Sequence, residues 1–261
     1  MARSPHAWSG LLPVWKPVGL RSAEVVELLK NMVLKHHEAS LPSGANCKVG
    51  HGGTLDSFAE GVLVIGFGDG TKQLQYLNQS SSTKEYVACG QLGVATDTYD
   101  PLGAETRRAP YDHVTAEGLR EVLQSKFLGK IMQRPPAYSA LKKDGVRFSD
   151  LNRSGVDVRP EARERHVSDI QLLKFEPPFF TISVTCNSGT YVRSLVYDIA
   201  ENMDTVAHVR TLQRLRVTRF THHNALRQES WTLGHVYGAL LRQRKEQERM
   251  LQDGVDPETA L

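Results

Sequence analysis

No stretch of this 261-residue chain approaches 18 uninterrupted apolar residues, so no membrane-spanning helix is expected. Cysteine is scarce. Cys47, Cys89 and Cys186 lie far apart, are odd in number and form no C-x-x-C. That argues against a disulfide framework or a thiolate zinc site and for a reducing compartment. The pairs His36-His37 and His222-His223 are the remaining metal candidates. Adjacent side chains diverge on most elements, so no metal is expected. The few residues ahead of "LLPVWKP" (11–17) include one Arg and one His and no apolar h-region, so a signal peptide is not expected. Internal repeats and low-complexity segments are absent as well.

What is present is a chain 40% hydrophobic, long enough for one large core or two small domains. Net charge is only +3, but its distribution is uneven. From Thr205 to Gln228 there are five arginines, three histidines and no acid. From Arg134 to His166 there are eight Lys/Arg against five Asp/Glu. Such a basic stripe favours a polyanionic partner, against the plainer reading of a solvated face.

The spacing of apolar residues predicts helices over 22–35, capped by Ser22, over 115–127, and from Tyr191 to about Met203, with a charged helix around 242–249 and a frayed tail after it. Strands are predicted at 61–67, 85–93 and 179–186; in the last, Phe180, Ile182, Val184 and Cys186 share one face. Residues 38–48 and 96–106 carry turn chemistry. Strands and helices are interspersed without regular βαβ alternation, which predicts an α+β fold around a mostly antiparallel sheet.

Two glycine-rich runs invite chemistry, "GHGGTLD" (50–56) and "GFGDGTK" (66–72). The second fails as a nucleotide loop. A Walker loop needs Gly-Lys-Ser/Thr, and here the order is Gly70-Thr71-Lys72; a dinucleotide fingerprint needs G-x-G-x-x-G, and here Gly66, Gly68 and Gly70 give G-x-G-x-G. A tight turn after a buried strand accounts for these glycines. In the first run small residues let a substrate approach Asp56 closely, although a lone Asp after glycines is most often a turn former.

Company raises the odds for Asp56. The chain also holds "KPVGLRS" (16–22), "TKEYVACGQLG" (83–93), "RPPAYSALKKDG" (134–145) and "SGTYVRSLVYDIA" (188–200). In order and wording these resemble the TruB family of tRNA pseudouridine synthases, its eukaryotic branch in particular, from about Leu11 to Phe220. The resemblance implies the pseudouridine synthase fold: a mostly antiparallel mixed sheet flanked by helices and loops. It implies a catalytic domain over 11–220 with an RNA-gripping insertion at about 134–165. The roughly 40 residues after Phe220 are too few for the PUA domain of bacterial members and read as an extension. A second departure is Arg21, where the family commonly has Thr.

The activity so implied is isomerisation of uridine to pseudouridine at position 55 in the T-loop of tRNA, without a cofactor. Hairpins in mRNA that mimic the T-loop are a further substrate class. A monomer in nucleus and cytoplasm, with room for a mitochondrial pool and no membrane association, completes the expectation. By resemblance Asp56 is the catalytic carboxylate, a nucleophile at C1′ or C6 or a base at C2′, and Arg193 pairs with it. Tyr86 packs on the target uracil and helps deprotonate C5; Tyr191 and Leu212 line the pocket; His51 fills the gap left by the flipped base. Lys16 and Pro17 support the active-site loop from beneath. Lys72, Lys142, Lys143, Arg147 and Arg214 are candidate RNA contacts. The rival reading is a non-catalytic RNA-binding or tRNA-folding chaperone on the same fold, and the joint presence of Asp56, Tyr86 and Arg193 argues against it.

Overall fold

The computed structural model describes residues 8–37, 48–156 and 158–255. Cys47, most of the 38–48 segment and the tail from residue 256 lie outside the described residues, as do the side chains of His36 and His37. In chain order the elements are β1 (Gly10–Lys16), α1 (Ser22–His37), β2 (Val49–Gly52), β3 (Glu60–Phe67), α2 (Gly70–Gln73), β4 (Thr83–Leu92), β5 (Val94–Thr96), β6 (Glu105–Arg108), α3 (Ala116–Val122) and β7 (Gly129–Gln133). There follow β8 (Lys142–Lys143), β9 (Val146–Arg147), α4 (Phe148–Arg153), β10 (Arg163–Glu176), β11 (Phe179–Asn187), α5 (Val192–Glu201), β12 (Ala207–Val217), β13 (Phe220–Thr221) and α6 (Leu233–Gln252). The fold is α+β and its sheet mostly antiparallel. Two compact units are distinct, residues 1–84 with 214–261, and residues 85–213. In the first unit β1 and β3 are followed by the 214–217 end of β12, with β2 on β3 and β13 on β12; the second holds residues 207–213 of β12 and the order β4-β11-β10-β7.

In the first unit β1 and β3 run antiparallel, from Gly10 opposite Phe67 to Lys16 opposite Gly61. Both strands are buried on both faces, which is why each reads as an unbroken apolar run rather than an alternation. The two-residue period still sorts them. Leu12, Val14, Leu63, Ile65 and Phe67 join Val25, Leu29 and Val33 of α1 and Val236, Ala239 and Leu240 of α6. Leu11, Trp15, Val62 and Val64 face the other way, onto Leu74, Leu77, Val217 and Phe220. Pro13 is tolerated because, among the described residues, β1's other neighbour is the Leu226 segment, which uses the Pro13 carbonyl and needs no N–H there.

The charged C-terminal helix is therefore longer than its sequence suggests. Its first half belongs to the core through Val236, Ala239 and Leu240, so residues 221–255 are part of this unit rather than an appendage. Ser22 does not cap α1. Its hydroxyl is spent on Leu55, and the first-turn Glu24 reaches back to the Arg21 N–H at 2.7 Å instead. Arg21, in the place the family commonly gives to Thr, adds an ion pair to the same Glu24. The GFGDGTK run is a turn from β3 into the single-turn α2. A Cβ on Gly70 would stand 2.1 Å from the Gly10 carbonyl, so glycine is required there for backbone packing.

In the second unit β7, β10 and β11 pair antiparallel, with two irregularities in the β10–β11 register. Phe180, Ile182, Val184 and Cys186 are fully buried, as the alternation predicts. The predicted helix over 115–127 is α3 plus a wider turn over Leu123–Phe127; Leu119, Leu123 and Phe127 are buried. The basic stripe of 205–228 is not one solvated face: Arg214 is buried, while Arg210 and Arg227 lie over the rings of Phe179 and Trp15. His222 and His223 do not diverge. Just past β13 the chain is no longer extended, and their ring centroids are 3.8 Å apart.

Candidate active site

Asp56 sits in the loop between β2 and β3, half-buried, and its neighbours on both sides are clamped. On one side Leu55 is buried, and its N–H and C=O both bond the Ser22 hydroxyl at 2.9 Å. On the other, the Ser57 carbonyl accepts from the Gly19 N–H at 2.7 Å and from Lys16 Nζ at 3.4 Å. The motif KPVGLRS thus wraps the backbone of GGTLDS. Arg214 completes the seat. Its guanidinium donates to the carbonyls of Val62 (2.8 Å), Gly53 (3.1 Å) and Thr54 (3.4 Å). Gly53 turns the loop with φ +81, and a Cβ there would meet Lys84 Nζ at 3.1 Å.

Two cations in this seat are out of water: Lys16 is 0% exposed and Arg214 1%. Burying a bare ammonium costs several kcal/mol. Lys16 offsets that through the carbonyls of Leu20 (2.7 Å), Pro17 (2.8 Å) and Ser57. Burial pushes its pKa down from the usual 10.5 to about 8; the Asp56 carboxylate pulls it up, the Arg214 charge presses it down, and Glu60 and Glu24 pull it up. Asp56 therefore stands within reach of the Lys16 charge. Lys16 in particular holds the loop from beneath.

In the second unit two other motifs are stitched together. The buried Gln133 side chain donates to the Tyr191 carbonyl at 3.0 Å and accepts from the Tyr191 N–H at 2.8 Å. Ser194 bonds the Arg134 carbonyl at 2.8 Å. Arg193, buried in the first turn of α5, donates to the carbonyls of Thr98 (2.7 Å) and Tyr138 (3.1 Å) and lies 3.4 Å from the Asp100 carboxylate. RPPAYSA and GTYVRS are some 50 residues apart in sequence, and here they share one network. Tyr191 is half-buried at the start of α5. Tyr86 and Leu212 are buried on β4 and β12. His51 is half-buried on β2, opposite Ile65. Gln133 and Asp100 carry no signal of their own in the sequence, although Gln133 directly precedes RPP and Asp100 closes the turn TDTYD.

The candidate RNA contacts divide sharply. Lys142, Lys143 and Arg147 are exposed on the β8–β9 hairpin, whose Asp144 (φ +51) and Gly145 (φ +83) form the two-residue turn that Asp-Gly favours. Among the described residues none of the three has an ion pair. Lys72 is exposed and paired with Asp69 at 2.8 Å. Arg214 is the correction: a buried guanidinium committed to three backbone carbonyls is part of the loop's foundation, not a surface for RNA.

With this geometry in view, the chain can be set beside known proteins. The model of the TruB family pseudouridylate synthase N-terminal domain matches residues 42–192. Pseudouridylate synthase TRUB1 of Mus musculus is 47% identical over 244 residues, 90% of this chain and 70% of that protein. The tRNA pseudouridine synthase B of Geobacter sulfurreducens is 39% identical over 206 residues, 79% of this chain and 63% of that protein. Among solved structures, one of a Cbf5-Nop10-Gar1 complex superimposes with a TM-score of 0.60 at 26% identity, covering 99% of this chain and 61% of its own.

Proposed function

We propose that this chain, which belongs to the TruB family of pseudouridylate synthases, converts uridine to pseudouridine in tRNA, with position 55 of the T-loop as its target. The observation that carries the chemistry is the seat of Asp56. Ser22, Gly19 and Lys16 fix the backbone on both sides of one carboxylate, and Arg214 anchors the two residues that lead into it. A loop held this rigidly presents its carboxylate in one place, which is how positioning lowers a barrier. The reaction breaks the N1–C1′ bond, turns the uracil and rejoins it through C5. Atoms and electrons balance within the nucleotide, so no cofactor is required.

The remaining roles follow the family resemblance. Tyr86 packs on the extruded uracil and serves C5 deprotonation; Tyr191 and Leu212 bound the base; Arg193 takes the place of the family's carboxylate-pairing arginine. His51 fills the gap in the T-loop, where base–aromatic stacking is worth about 1–3 kcal/mol. The hairpin cations Lys142, Lys143 and Arg147 grip phosphates. Hairpins in mRNA that reproduce the T-loop are substrates by the same local recognition.

The test is incubation with an unmodified tRNA transcript, followed by mapping of pseudouridine. Wild type is expected to modify position 55. Asp56→Asn is expected to form none while binding the transcript within about threefold of wild type, since phosphate contacts dominate affinity. Substantial turnover by the Asn variant would remove Asp56 from the chemistry. RNA binding without turnover by the wild type would favour the chaperone reading.

A further inference from the structure

In the first unit a cavity of about 390 Å³ opens between β1 and the segment running from β13 into α6. Its floor is apolar, formed by Leu12, Leu226 and Ala239 among others. Its polar side chains are His223, Asn224, Arg227, Ser230, Arg242 and Gln243, and the charged ones are of one sign. Arg227 and Arg242 contribute two guanidinium groups, and no carboxylate lines the cavity. Arg227 is held from behind, 4.1 Å over the Trp15 ring, and both arginines are exposed and have no ion pair among the described residues.

The two amides add to this bias. Asn224 accepts from the Thr221 N–H through Oδ1, and Gln243 accepts from Arg219 through Oε1. In each the oxygen is spent on the protein, and the amino end remains as a donor. Two guanidinium cations and two amide donors in one concavity suit a phosphate oxygen set.

We propose that this cavity binds a phosphate of the RNA backbone, held by Arg227 and Arg242 with the Asn224 and Gln243 amides, as a grip separate from the hairpin cations. The identity of the anion rests on the RNA-modifying function proposed above. Phosphate chemistry is shared by free nucleotides, and the exposure of both arginines favours a polymer that passes over the site.

Arg242 is the residue to change, because it is exposed and has no ion pair among the described residues. Arg242→Ala and Arg242→Glu are compared with wild type in filter binding to a tRNA transcript and to a T-arm stem-loop between about 50 and 200 mM salt. Thermal melts confirm folding. On whole tRNA, leaving one phosphate without its cation is expected to take roughly 0.9 off the slope of log K against log salt. Arg242→Glu is expected to bind about tenfold more weakly, with pseudouridine formation at saturating tRNA within about twofold of wild type. A slope change on the stem-loop as well places the contact within the T-arm and equally supports the site. Unchanged slopes on both RNAs overturn it. Stabilisation of wild type, but not of Arg242→Glu, by adenosine monophosphate, with unchanged RNA slopes, also overturns it in favour of a small-nucleotide site. A wild type that binds tRNA with the Arg242-dependent slope yet makes no pseudouridine would defeat the proposed function and leave this site standing.

Discussion

The Asp56 loop and the β8–β9 hairpin are both rich in cations, and they use them in opposite ways. Beneath the loop, Lys16 and Arg214 are shut off from water and each donates to three backbone carbonyls. On the hairpin, Lys142, Lys143 and Arg147 stand in solvent without ion pairs among the described residues. A buried cation with its donors spent is a fastener, and removing it leaves orphaned carbonyls. An exposed one with its donors free costs the fold nothing and remains available to a polyanion. Sequence position does not distinguish the two, because Lys and Arg are written the same way in both places.

Breaking the fasteners should have the largest effect on the fold. Arg214→Met is expected to cost about 3–5 kcal/mol in urea unfolding, the range for deleting a buried, bonded charge. Lys16→Met should cost less, because the lowered pKa shows that part of its burial penalty is uncompensated. A destabilisation below about 0.5 kcal/mol for Arg214→Met, the level of an ordinary surface change, would dissolve the distinction.

Gln133 sharpens the same idea with a neutral fastener. Gln133→Leu is expected to lower kcat about 10- to 100-fold, as for a positioning error near 1 Å, with tRNA affinity almost unchanged. In Gln133→Glu an ionised carboxylate accepts from the Tyr191 N–H but opposes the Tyr191 carbonyl. Its protonated form can donate there. The activity of the Glu variant relative to wild type should therefore rise as pH falls, and that of the Leu variant should stay flat. Parallel profiles for the two variants would reduce Gln133 to a space-filler.

Removing Lys142, Lys143 and Arg147 together should leave the urea midpoint unchanged. Binding should weaken, with the salt dependence falling by roughly 0.7–0.9 for each phosphate that is no longer neutralised. An unfolding midpoint shifted as far as by Arg214→Met would erase the contrast.

The smallest effect concerns Asp198 on α5, whose carboxyl is pushed up from 3.8 to about 7 by burial and by the nearby Glu201. In this window the folded state holds a proton that the unfolded chain has released. Stability contributed by the neutral form is present below pH 4 and is lost as pH rises toward 7. Asp198→Asn keeps the neutral state at every pH. It is expected to gain about 1–2 kcal/mol at pH 8 and little at pH 4, read from melting curves at both. Equal shifts at the two pH values would refute the protonation argument.

Much was legible in the chain itself. The alternation of Phe180, Ile182, Val184 and Cys186 is the fingerprint of a half-buried strand, and the observed strand keeps it. The apolar run 61–67 marks a buried strand, and the phrases around Asp56, Tyr86 and Arg193 point to the family. Such features are local: periodicity and wording survive being read one residue at a time. Strand β10 escapes such a reading because its exposed positions make RERHVSDIQLLKFE look polar, and half of α6 escapes it because its core residues sit ahead of a charged run.

What only the tertiary structure decided is which groups meet, and on which side of the water boundary each charge lies. KPVGLRS closes on GGTLDS through a serine hydroxyl and a lysine ammonium, and QRPPAYS closes on GTYVRS through one amide. Arg214 and Arg227 belong to the same basic stretch of sequence, yet one is a strut beneath the Asp56 loop and the other edges an open cavity. The physical reason is that a hydrogen bond or a desolvation cost belongs to a pair of groups and their surroundings, and in this chain those surroundings are assembled from segments between 33 and 161 residues apart.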